Sequence, residues 1–117
     1  MITITFFAKE IEQDVKVNLE SVTGFRTEGH AGYAEYGEDI VCAAVSILVT
    51  NTINSIESFT SAVFDYDVDE KRGFIDFKII SEATPETKLL LKSLILGLQM
   101  IQEEYGEKYL RIDFQNS

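Results

Sequence analysis

The chain has 117 residues, 45% of them hydrophobic and 26% charged, and its 20 acidic against 10 basic residues give a formal net charge of −10. That length suits one domain around one core, and the acidic balance disfavours nucleic acid and acidic membranes while favouring a basic partner. No uncharged apolar run reaches about 18 residues, the start MITITFFAKE lacks the basic residues and small-residue cleavage site of a secretory signal, and one cysteine cannot close an intrachain disulfide, so a cytoplasmic protein without a membrane span is expected.

Ile2, Ile4 and Phe6 alternate with Thr3, Thr5 and Phe7, which predicts a strand with one well-defined face. Val15, Val17 and Leu19 alternate again, and Asn18 to Ser21 offers a turn. The spacing leaves Glu10 to Leu19 undecided between one strand, two pieces and a loop. Val22 to Glu28 reads as extended and delivers the chain to Gly29 and His30, where the glycine suggests a tight backbone turn. Ala31 to Glu38 shows no apolar period, and Gly32 and Gly37 make it pivot-rich. Asp39 stands where an N-cap belongs. Beyond it, Ile40 to Val49 is apolar nearly all round, which predicts a central, buried helix. That helix continues through Ile53, Ile56 and Phe59 and fades near Thr60.

In Val63 to Asp69, Asp65, Asp67 and Asp69 alternate with Phe64, Tyr66 and Val68, so a half-exposed strand with an acidic outer face is expected. Glu70 to Gly73 turns the chain, and Phe74 to Ile80 returns as the second strand of a hairpin. Thr84-Pro85-Glu86 supplies a capping hydroxyl, proline at the first helical position and an acid in the first turn. The resulting helix carries Leu91, Leu94, Leu98 and Ile101 as its stripe, widened by Leu90 and Ile95, and stops at Gly106. Tyr109 to Phe114 is the last strand. This order of elements predicts an α+β two-layer domain, with a mainly antiparallel sheet and two helices packed on one face.

The chemistry concentrates between Glu28 and Ser46, which hold the only histidine, His30, and the only cysteine, Cys42. A thiol in the first turn of a capped helix, with an imidazole upstream, is a proposal for a nucleophile and its base. Ser46 lies one turn beyond Cys42 on the same face. The plainer alternatives are a buried structural cysteine and a histidine without a task. One His and one Cys are too few for a zinc site, and the aspartate series is more simply a solvated face than a calcium site. No metal and no cofactor are expected, because phosphate loop, dinucleotide fingerprint and nucleophile-elbow serine are all missing.

Gly29-His30-Ala31, Glu35-Tyr36-Gly37, Asp39-Ile40-Val41-Cys42-Ala43 and Ser46 closely resemble the signature of the ribosomal-processing cysteine proteases. The order of elements and the C-terminal helix ending in QxIxEEY agree more loosely. The resemblance implies a cytoplasmic, homodimeric endopeptidase that removes the N-terminal extension of large-subunit ribosomal protein twenty-seven, with His30 and Cys42 as its dyad. It implies supporting positions at Asp39 and Ser46, with Asp39 either orienting the imidazole or only capping the helix. It also implies oxyanion donors among the backbone amides at the helix start. The family's loop between histidine and cysteine borders the substrate groove. In this chain it would be a lid, with Gly32 and Gly37 as pivots, Tyr33 and Tyr36 covering an extended peptide, and Glu35 and Glu38 meeting a basic one. Two other readings fit the same residues: a non-enzymatic acidic module that docks on ribosomal or assembly proteins, and a thiol redox sensor built on Cys42.

Overall fold

The computed structural model describes residues 1–9, 18–29, 36–69 and 73–116, with the side chains of residues 36–39 excepted. Strand β1 (Ile2–Ala8) buries alternate residues without a break, as its sequence dictates: Ile2, Ile4, Phe6 and Ala8 point inward. A short 3-10 turn at Leu19–Ser21 follows, capped by the Asn18 side chain, which accepts the Glu20 amide. It occupies the turn expected at Asn18 to Ser21; the undecided stretch before it lies mostly outside the described residues. Strand β2 (Val22–Glu28) pairs antiparallel with β1, with a bulge near Phe7 and Ala8.

Helix α1 (Tyr36–Phe59) leads to the hairpin strands β3 (Phe64–Asp69) and β4 (Phe74–Ile79). Helix α2 (Pro85–Tyr105) and strand β5 (Leu110–Asn116) close the described chain. The start and stop of α2 are local chemistry. The Thr84 hydroxyl accepts the Thr87 amide, and Gly106 ends the helix at φ 98°.

The strands form one sheet in the order β3-β4-β2-β1-β5. Every pairing is antiparallel except that of β1 with β5. The pairing brings all the inward residues to one side, where the helices cover them, which is the two-layer α+β arrangement expected. Five phenylalanines from the five strands make a continuous row on that side. Phe114, Phe6, Phe25, Phe77 and Phe64 follow one another with ring centroids 5.7, 5.8, 5.1 and 5.0 Å apart. Their alignment follows from the register, which sets Phe6 opposite both Phe25 and Phe114, and Phe25 opposite Phe77. Such pairs add about 0.5–1.5 kcal/mol each beyond the area they bury.

Three expectations are corrected. First, α1 is not buried all round. Val41, Val45, Val49, Ile53 and Ile56 face the core while Ile47 is 70% exposed. Two layers can cover only one face of a helix, so apolar content on the other face stays in solvent. Second, Asp39 is not the cap: α1 begins at Tyr36, which makes Asp39 its fourth residue. Acids at Glu38 and Asp39 stabilise a helix start from within the first turn, so they do not mark its boundary. Third, residues 36–38 of the expected loop are helical.

Candidate active site

The stripe of α1 that runs past the sheet edge carries Cys42, Val45, Ser46, Val49 and Thr50, which recur at helical spacing. Together with Ile2, Thr27, Gly29, Tyr66, Val68, Asp69, Gly73, Phe74 and Ile75 they line a groove of about 480 Å³. The groove exists because β3 and β4 extend beyond the cover of α1. Tyr66 and Val68 lie on the helix-facing side of the sheet, opposite Phe77 and Ile75, yet they remain 52% and 37% exposed. An edge strand left uncovered turns its apolar side chains into a groove wall.

Cys42 is a free, half-buried thiol that packs partly on the core. It is the seventh residue of α1, about 9 Å along the axis from the first. That position bears on two expectations. The field of a helix start falls off within its first turn, so Cys42 sits beyond its strongest part. The amides of an α-helix from the fifth residue onward are bound four residues back, so the Cys42 amide belongs to the helical ladder and not to an oxyanion site. The first amides of a helix have no partner within it, so amides outside the ladder of α1 belong to its start at Tyr36, Gly37 and Glu38.

Ser46 is exposed, one turn on, and lines the same groove. The start of α1 contains the backbones of Tyr36, Gly37, Glu38 and Asp39. His30, Gly32, Tyr33 and Glu35 lie outside the described residues. Gly29, the residue directly before His30, is described and lines the groove. Its φ is 92°, and a side chain there would place Cβ 2.4 Å from the Met1 carbonyl oxygen. Only glycine fits both conditions, which realises the tight turn expected before His30.

The match to proteins already characterised covers nearly the whole chain. The family model described as cysteine protease Prp matches residues 1–110. A Staphylococcus aureus protein named ribosomal processing cysteine protease Prp is 35% identical over 106 residues, covering 90% of this chain and 99% of that protein. This chain belongs to the Prp family of cysteine proteases. A Bacillus subtilis protein of the same name is 29% identical over 92 residues, covering 75% of this chain and 82% of that one. Two structures of the Staphylococcus aureus Prp protease share the fold at TM-scores of 0.78 and 0.81. Both are 30% identical and cover 98% of this chain and 100% of theirs. One is in complex with a covalently linked product peptide and the other with a substrate peptide. The Prp assignment makes the chain a peptide-bond hydrolase that acts in ribosomal processing, in place of the non-enzymatic module.

Reading the sequence missed Thr27, Thr50, Tyr66, Val68 and Ile75 as groove residues. The signal for Tyr66 and Val68 was their alternation with aspartates, but it takes the sheet order to show that this strand is an uncovered edge.

Proposed function

We propose that the enzyme removes an N-terminal extension from ribosomal protein twenty-seven, with Cys42 as nucleophile and His30 as its base. The observation that carries this reading is that Cys42 and Gly29 line one groove, so the chain enters the site one residue before its only imidazole. The peptides held by the Staphylococcus aureus relative, a covalently linked product in one structure and a substrate in the other, support a peptide substrate.

In this scheme His30 takes the Cys42 proton, and the sulfur attacks the scissile carbonyl carbon. The tetrahedral oxyanion collapses to a thioester, and His30 gives the proton to the departing amine. A water, deprotonated by His30, then hydrolyses the thioester and regenerates the thiol. Because Cys42 lies beyond the strongest helix field, removal of its proton rests on the imidazole. The first-turn amides of α1 are the backbone groups left to bind the oxyanion. Ser46 sits on the groove wall beside the thiol and contacts the peptide there. The lid role passes to residues 31–35 together with the helix start at Tyr36, Gly37 and Glu38. Asp39 contributes as a first-turn acid.

The net charge of −10 suits a basic ribosomal precursor through electrostatic attraction and does not suit nucleic acid or membrane. Homodimerisation is supported by Leu89, Leu96 and Met100, exposed at 63%, 59% and 61% along one side of α2. A single cysteine suits a cytoplasmic location.

The experiment is to mix enzyme with the extended precursor, quench in acid and measure intact mass. The expected product is an acyl adduct that maps to Cys42 and disappears in Cys42→Ser. Turnover with the adduct on another residue, or with none in Cys42→Ser while cleavage persists, overturns the assignment.

A further inference from the structure

The acidic hairpin strand has no task in the scheme above, yet it forms one wall of the groove. Strand β3 is the end strand of the sheet. The Ile80 amide donates to the Val63 carbonyl at 2.8 Å, just outside the pairing of Phe64 with Ile79. Antiparallel pairing alternates. Residues 63, 65, 67 and 69 therefore direct their backbone groups to β4, and Phe64, Tyr66 and Val68 direct theirs to the open edge. Tyr66 and Val68 thus offer backbone donors and acceptors at the same two positions whose side chains line the groove with Cys42.

The side chains in between sit on the other face of the sheet. Asp65 and Asp67 are exposed there. Asp67 lies directly opposite Asp76, an unfavourable like-charge pairing that Arg26 relieves on one side by a 3.1 Å bond to Asp76. A cation placed on the open side of Asp67 would relieve it on the other.

We propose that β3 binds the substrate by strand addition, and that it selects an extended segment in which apolar and basic residues alternate. The inference rests on the protease reading above. A strand laid on this edge bonds the backbones of Tyr66 and Val68. Residues opposite Tyr66 and Val68 point to the groove side, and residues opposite Asp65 and Asp67 point to the acidic side. The backbone gives affinity, and the period of two gives selectivity. At about 3.3 Å per residue, the edge accommodates roughly six residues of peptide.

The test uses the Cys42→Ala protein, so that binding is read without turnover. Two labelled octapeptides of equal composition serve as probes, one alternating leucine with lysine and the other with four leucines before four lysines. Anisotropy at fixed ionic strength should show the alternating peptide binding roughly tenfold more tightly. A scan of single backbone N-methyl groups should weaken it roughly tenfold at every second position and little in between, since each methyl removes a net hydrogen bond and crowds the edge. Asp65→Asn with Asp67→Asn should weaken it roughly fivefold and flatten its salt dependence. Val68→Pro, which removes an outward amide that an edge strand can lose, should weaken it while preserving the melting temperature. Equal affinity for both peptides, or an N-methyl scan without a period of two, overturns the proposal. So does a Val68→Pro variant that binds normally but changes sedimentation mass, which would give the edge to a second copy of the chain. Failure of the protease reading is separate: it appears as a wild-type enzyme that binds the alternating peptide and cleaves no precursor.

Discussion

Gly29→Ala is the substitution for which the structure yields a worked magnitude. At φ 92° an L side chain is strained, and its Cβ would stand 2.4 Å from the Met1 carbonyl oxygen. Strain at a disfavoured backbone conformation costs about 1–3 kcal/mol. Relief of the contact needs a shift of roughly 1 Å in Met1 or in residue 29, because an ordinary carbon–oxygen contact lies beyond about 3 Å. For a domain of this size each 1 kcal/mol lowers Tm by about 3–5 °C, so a fall of about 3–15 °C is expected. The shift also moves the chain directly before His30. A misplacement of about 1 Å at a catalytic group can reduce turnover about a hundredfold. The assays are a thermal melt and kcat/KM on an extended precursor peptide, both with Gly29→Asn alongside. Asparagine tolerates positive φ better than alanine but keeps the clash, so a partial recovery in Asn measures the backbone share. Wild-type Tm and turnover in Gly29→Ala would refute the reasoning.

Further outcomes follow from the packing and charge. Phe77→Ala, between Phe25 and Phe64 in the ring row and fully buried, should cost about 3–5 kcal/mol in urea unfolding; a cost below about 1 kcal/mol would contradict the row as a core element. Gly97 faces Leu48 across the helices, with a Cβ at 2.9 Å from its terminal methyl. Gly97→Ala should stay within about 1 kcal/mol of wild type, as helix propensity offsets a small shift of Leu48, whereas Gly97→Leu should lose about 1–3 kcal/mol by overpacking. The Glu20 carboxyl, bonded to Lys92, is held below its usual range by that bond against a smaller opposing effect of burial. A depressed carboxyl stabilises above its unfolded pKa and loses this as pH falls through the folded value. Glu20→Gln should therefore leave stability nearly unchanged in acid and lower it slightly at neutral pH, and a variant most destabilised in acid would reverse the sign. Raising salt should reduce kcat/KM on a full basic precursor more than on a short neutral peptide, and equal sensitivity would remove the role of net charge.

What could be read from the sequence was what local chemistry decides. Thr84, Pro85 and Gly106 mark both ends of α2 because capping is settled within a few residues. β1 declares its inward face by strict alternation. The start of α1 was misread at Asp39, because an acid favours a helix start equally from the cap and from the first turn. The parallel pairing of β1 with β5, and with it the step from Phe6 to Phe114 in the row of phenylalanines, depends on contacts between residues about 100 positions apart, which no window along the chain contains. The same is true of the groove. Cys42 and Ser46 were legible from helical spacing. Tyr66 and Val68 became groove residues only when β3 proved to be an uncovered edge. Gly29 was legible as a turn, and the Met1 carbonyl that enforces it was not.

The most direct measurement is the mass of the product formed from the extended ribosomal precursor by wild type, Cys42→Ala and His30→Ala. The account predicts one cleavage near the precursor's N-terminus by wild type. It predicts none by Cys42→Ala and next to none by His30→Ala, with both variants melting close to the wild-type temperature. A folded Cys42→Ala protein that still releases the N-terminal extension would contradict it.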